Sequence, residues 1–165
     1  MRTISFFAGH TVYEIGSASD VILFFDCLNN LVTKKHPERD WTLLTDRLYR
    51  RYIPCESSTV ALDLMKRAKE VFASLPSAAV NWGDIANCAA STRLNPNQPT
   101  LADVFAKYFE HYVSANASAK SFLDAFNINQ PIRIVRADIA GFMADKKRSL
   151  ADYDNLVGKP YWLRE

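Results

Sequence analysis

Residues 11–20 read Thr-Val-Tyr-Glu-Ile-Gly-Ser-Ala-Ser-Asp, with a glycine and two serines where a β-prone run gives way to a helical one. Enzymes build nucleophile turns and phosphate cradles at such junctions. A nucleophile elbow needs Gly-x-Ser-x-Gly, in which two glycines relieve the strained turn around the serine. Here Ser17 follows Gly16 directly and the second glycine is missing. The candidate bases His10, His36 and His111 lie in stretches that mark none of them for a triad. A phosphate cradle wants several glycines and usually a lysine; this stretch has one glycine, and Glu14 and Asp20 repel an anion. A turn and a cap explain more of the residues. Gly16 permits the turn, Ser17 caps the next helix, and Asp20 favours the positive end of its dipole.

Other chemistries find no better footing. The His residues and Cys27, Cys55 and Cys88 are dispersed, with no pair at i, i+3 or i+4, so no metal and no cofactor is expected. The cysteines form neither a CxxC nor a disulfide framework, which points to a reducing compartment. Cys27 reads as a small core residue beside an apolar stripe. The carboxylates flanking Arg39 (Glu38, Asp40) and Tyr153 (Asp152, Asp154) read as solvated, and Glu14 as an exposed strand position. No residue is assigned a catalytic role.

The stretch 47–54, Arg-Leu-Tyr-Arg-Arg-Tyr-Ile-Pro, mixes arginine with tyrosine, as protein interfaces and RNA-binding faces both do. Its plain alternative is an amphipathic helix end with Leu48 buried and the arginines solvated. Twenty Lys and Arg against 18 Asp and Glu give a net charge of +2, too small a surplus to advertise nucleic acid. The densest basic cluster, 145–149, reads as a solvated turn. The N-terminus has no signal-peptide core, and no apolar run approaches the roughly 18 residues that span a bilayer. A soluble, cytoplasmic protein without membrane contact is expected.

Hydrophobic patterning supplies the elements that must position these residues. At 165 residues and 48% hydrophobic content the chain can bury one sizeable core, and no linker or repeat divides 1–165. Strands are predicted at 3–8 and 11–15, joined as a hairpin by Gly9-His10. Val21, Phe24, Phe25, Leu28 and Leu31 make a helical stripe closed before Pro37, and Trp41, Leu44 and Leu48 a shorter one. The strongest helix is 58–75, with Asp63 and Arg67 paired at i, i+4, stopped by Pro76. A further strand is expected at 78–82, then irregular chain to 99. A Thr100/Asp103 capping box opens a helix over Leu101–Tyr112, which 114–120 interrupts before a second segment with Phe122, Leu123 and Phe126. A strand at 132–136 points Ile132 and Ile134 one way and Arg133 the other. Two short helical pieces follow, the second opened by a Ser149/Asp152 box and stopped by Gly158 and Pro160. The fold class is α+β: a small, mainly antiparallel sheet packed against several helices in a single domain.

One resemblance joins several of these pieces. Tyr13–Ser19 (YEIGSAS), the apolar helix after it, and Trp41 with LTDRLYRRYI ending at Ile53 resemble the N-terminal half of a bacterial immunity-protein family. The A-x-x-L helix at 61–75 with its Leu-Pro ending, AVNWGDIA at 79–86 and TLADVFAKYF at 100–109 follow in the same order. The 91–99 connection and the chain beyond Asn116 depart from it. That family belongs to polymorphic toxin and contact-dependent growth inhibition systems, in which each member neutralises one toxin encoded beside it. The resemblance implies a stoichiometric inhibitor whose partner is a cognate toxin domain, possibly a nuclease. Contact candidates are Glu14, Asp40, Tyr49, Arg50, Arg51, Trp82 and Asp84, chosen for position beside loops and for side chains that suit interfaces. Inhibitors of basic nucleases are often acidic, which speeds capture; this chain is slightly basic, so its acidic surface is local or its partner's contact surface is not strongly basic. The alternatives are an RNA-binding or RNA-processing protein using 47–54, and a small hydrolase in which Ser17 and a histidine meet only in the fold.

Overall fold

Strands β1 (Thr3–Ala8) and β2 (Thr11–Ser17) form the expected hairpin, with β2 running two residues further than predicted. The structure, a computed structural model, describes residues 3–81 and 94–164. Strand β3 (Arg133–Arg136) pairs antiparallel with the other side of β1, giving the order β2-β1-β3. Ile132 continues its line by exchanging backbone hydrogen bonds with Ile53 (2.8 and 3.0 Å). The outer edge of β2 is blunted in two ways that discourage strand addition. The pairing register shifts between Ile4 and Ser5, leaving Ile15 as the extra residue, and the His111 ring nitrogen Nδ1 meets the Glu14 carbonyl.

The junction at Gly16 is a turn and a cap. Gly16 has φ +150°, and a Cβ there would come within 3.1 Å of both Asp20 Oδ2 and the Tyr108 hydroxyl. Gly16→Ala is expected to destabilise the protein by about 1–3 kcal/mol, read from its urea midpoint. Helix α1 (Ala18–Leu28) begins behind it with a complete capping box: Asp20 N–H donates to Ser17 Oγ and Ser17 N–H to Asp20 Oδ2, each at 3.2 Å. Ser17→Ala should therefore lose about 1–2 kcal/mol of stability.

Helix α1 widens into a π-helical turn, Asn29–Thr33, and ends before Pro37 as expected. A second π-helical segment, Leu43–Leu48, buries Leu44 and Leu48. Helix α2 (Ser58–Ala73) buries its predicted stripe, but its charges pair differently: Asp63 meets Arg39 at 3.2 Å and Arg67 meets Glu70 at 2.9 Å. The strand expected at 78–82 is absent over its described part. Ser77–Ala79 form a single 3-10 turn, and the backbone instead ties Leu75 to Leu101 (3.0 Å) and Ser77 to Pro99 (3.3 Å).

The Thr100/Asp103 capping box opens α3 (Leu101–Val104), and Phe105 breaks the helical path with φ −102°, ψ 21°. Helix α4 (Ala106–Phe126) then runs unbroken for 21 residues, so the interruption expected at 114–120 does not occur. That run of small residues is a contact surface. Ala115 and Ala119 are buried, and Ser118 Oγ donates to the Ala8 carbonyl at 3.2 Å, bringing the helix against the hairpin. Only Gly9, with φ +61°, fits beneath, because a Cβ would sit 3.0 Å from Ser118 Oγ.

Ile4, Phe6 and Ile134 face the core with α1 and α4. Phe24 is its hub, stacked on Tyr108 at 4.7 Å and edge-on to Phe105 and Phe109, while Phe6 meets Tyr112 at 5.6 Å. Burial raises the phenol pKa of Tyr108, Tyr112 and Tyr153, helped at Tyr108 by the Asp20 charge. A folded-state pKa above the unfolded value of about 10 contributes stability that is full below pH 10 and lost above it. The urea midpoint is expected to fall as pH rises from 9.5 toward about 11, less steeply in Tyr112→Phe.

Arg133 faces away from Ile132 and Ile134 as expected, and that other sheet face is covered too. The C-terminal tail folds over it through α5 (Ile139–Lys147), α6 (Leu150–Asp154) and a 3-10 turn at Tyr161–Leu163. Arg133 is buried, with its guanidinium between the Phe7 and Tyr153 rings at 5.3 and 5.4 Å. The Ser149/Asp152 box opens α6 as predicted, but α6 ends at Asp154, ahead of the Gly158 and Pro160 stop. The last carbonyls of a helix lack intrahelical partners, and arginines from distant elements supply donors. Arg133 donates to Lys146 O (3.3 Å) and Arg148 O (3.2 Å), and Arg51 to Tyr153 O (3.2 Å) and Asp154 O (2.6 Å).

Candidate protein-binding surface

Helix α5 is fastened to the sheet by its inner side. Asp138 caps its start, accepting from Gly141 N–H at 2.9 Å. Gly141 lets the helix come in close, since a Cβ there would lie 2.8 Å from the Arg136 side chain. Phe142 meets Phe7 edge-on at 5.4 Å. Asp145, 0% exposed, takes a forked pair of hydrogen bonds from Arg136, Nη2 to Oδ1 at 2.7 Å and Nε to Oδ2 at 3.0 Å. The Arg136 backbone N–H adds a third at 2.9 Å, and Arg148 Nε approaches Oδ1 at 3.5 Å. The Asp145 hydrogen bonds raise the Arg136 pKa further, against the opposing effect of burial. The segment 145–149, expected to be a solvated turn, thus supplies the last turn of α5 and its buried anchor.

The outer side of α5 is apolar as well. Ile139 is 85% exposed and Met143 44%, one turn apart, with exposed Ala140 and Ala144 beside them. Lys146 and Lys147 fall at i+3 and i+4 from Met143 and continue the same stripe. Val12, 44% exposed, lies on the same side of the sheet: it pairs with Phe7, whose ring touches Phe142. Scattered exposed apolar residues are ordinary, whereas a contiguous stripe on one helix face is a candidate interaction surface. A second exposed apolar group sits at the hairpin tip, where Phe122 contacts His10 (4.6 Å) and Phe126 (5.0 Å).

The described residues among those singled out from sequence lie on separate elements. Tyr49, Arg50 and Arg51 come together, but facing the protein's own tail. Tyr49 O accepts from Trp162 Nε1 at 2.8 Å, Arg50 Nη2 donates to Gly158 O at 2.9 Å, and Arg51 holds the end of α6. Asp40 is exposed and accepts from Thr42 Oγ1 (2.6 Å) and N–H (3.0 Å), bonds that hold its carboxyl below the ordinary carboxylate value. Glu14 is exposed on β2. Trp82 and Asp84 lie outside the described residues. The sequence reading missed Ile139 and Met143, although Ile-Ala-Gly-Phe-Met-Ala carries apolar residues on every side of a helix that must have a solvent face.

The junction chemistry resolves in the same way. Ser17 is buried and its hydroxyl serves the cap. Among the described residues, a hollow of about 340 Å³ beside Gly16 sets Asp20, Asp103 and Glu110 against one cation, Lys107, the wrong balance for a phosphate. Burial, with the neighbouring Asp26 charge, pushes the Cys27 thiol up to about 12, far from a reactive thiolate at neutral pH. Among the described residues no cluster of three or more His, Cys, Asp or Glu could hold a metal, and no helix is long and apolar enough to cross a membrane.

Comparison with protein-family models, curated proteins and solved structures returned no significant match.

Proposed function

We propose that this protein is an immunity protein that binds a cognate bacterial toxin one-to-one and neutralises it in the cytoplasm, and that the outer face of α5 makes the contact. The observation that carries the reading is the apolar stripe of Ile139, Ala140, Met143 and Ala144, held toward solvent by a helix fastened through Asp145. An inhibitor of this kind needs a rigid scaffold and one complementary surface rather than a reactive centre. Its resemblance to immunity proteins across 13–109 points the same way. The RNA-binding alternative rested on the arginine–tyrosine stretch 47–54, in which Arg50 and Arg51 each donate to tail carbonyls.

Calorimetric titration with the toxin domain encoded immediately upstream tests the proposal. A one-to-one complex and complete loss of toxin activity at equimolar ratio are expected. A fully active toxin in the presence of excess protein, with no binding heat, would sink it.

A further inference from the structure

We infer that the toxin surface seated on α5 is apolar at its centre and carries carboxylates opposite Lys146 and Lys147; this rests on the function proposed above and adds the chemistry of the partner. Ile139, Met143 and the two lysines share one helical face, so a partner covering the first pair must come up against the second. Neither lysine is held in an ion pair among the described residues. Arg133 takes the Lys146 carbonyl at the end of α5 and the Arg148 carbonyl just beyond it. The Lys146 ammonium lies 6.0 Å over the Phe142 ring.

Among the described residues, the carboxylates near this end of the helix are engaged with groups other than these lysines. Asp145 is buried between Arg136 and Arg148, two cations on one anion. Asp152 is bound into the Ser149 cap and Asp154 accepts from the Tyr52 hydroxyl at 2.9 Å. Lys146 and Lys147 therefore stand beside the apolar stripe without a carboxylate paired to either among the described residues, and covering them with a basic surface would bury like charges together, whereas carboxylates would pair. The other candidates are less defined. The groove between α2 and α4, about 320 Å³ over Met65 and Phe109, mixes Lys66 and Lys69 with Glu110, and the β2 edge is blocked by its register shift and His111.

Association kinetics with the upstream-encoded toxin domain, followed from low to high salt, test the inference. For the wild type the association rate should fall as salt rises. Lys146→Glu with Lys147→Glu should slow association roughly ten-fold or more at low salt and remove or invert that dependence, while dissociation changes far less. The neutral pair Lys146→Gln and Lys147→Gln should fall between, with an unchanged urea midpoint to show that the fold is intact. Binding that ignores both substitutions and salt would overturn the inference and leave the immunity function standing; no binding by the wild type would remove both. Sedimentation with vesicles of anionic lipid forms the last arm. Vesicle binding that the Glu variant loses, while its toxin binding is unaffected, would make this a membrane-facing patch and also overturn the inference.

Discussion

Asp145→Ala is expected to lower the stability of the protein by about 3–5 kcal/mol, the usual consequence of removing one partner from a buried ion pair. The loss has little to do with the attraction in the intact pair, which desolvation largely offsets. It arises because Arg136 would keep its charge inside the fold with the two side-chain hydrogen bonds and the one backbone bond to Asp145 gone. Replacing both partners, Arg136→Met with Asp145→Leu, should lose less than the single change, since no charge is then stranded. Urea unfolding of the two variants checks this. A loss below about 1 kcal/mol in Asp145→Ala would mean that α5 is not fastened in the way described.

Ile139→Gln with Met143→Gln should do the opposite: little to stability, much to binding. Ile139 is 85% exposed, so it contributes little burial to the fold, and glutamine keeps a good helix propensity. Stability should move by less than about 1 kcal/mol. In a complex the same side chains would be covered, and the glutamine amides would lose water without gaining designed partners. A drop of at least ~30-fold in toxin affinity is expected, about 2 kcal/mol, as for a contact near the centre of an interface. The two variants separate the inner role of α5 from its outer role, and calorimetry beside urea unfolding reads both.

Much of the fold was legible because it is written locally. The hairpin, the stripe of α2 and the capping boxes at Ser17, Thr100 and Ser149 each depend on residues a few positions apart. What was not legible has a different cause. The run 114–120 has the composition of a turn, yet its small residues are what lets α4 approach Ala8 and Gly9, more than 100 positions away in the chain. Arg50 and Arg51 look like surface donors until the tail, about as distant, brings its carbonyls to them. Arg133 follows strand alternation correctly but lies under a layer that alternation cannot reveal. The outer face of α5 is the reverse case: its residues look like core, and the tail's path leaves them in water.

Side-chain footprinting by carbene labelling, on the protein alone and with the upstream-encoded toxin domain, tests the binding surface most directly. The prediction is strong labelling of Ile139 and Met143 in the free protein and near-complete masking of both in the complex, with Val60 on α2 labelled equally in each. Masking confined to other residues, while Ile139 and Met143 stay fully labelled in the presence of bound toxin, would contradict the assignment of this face.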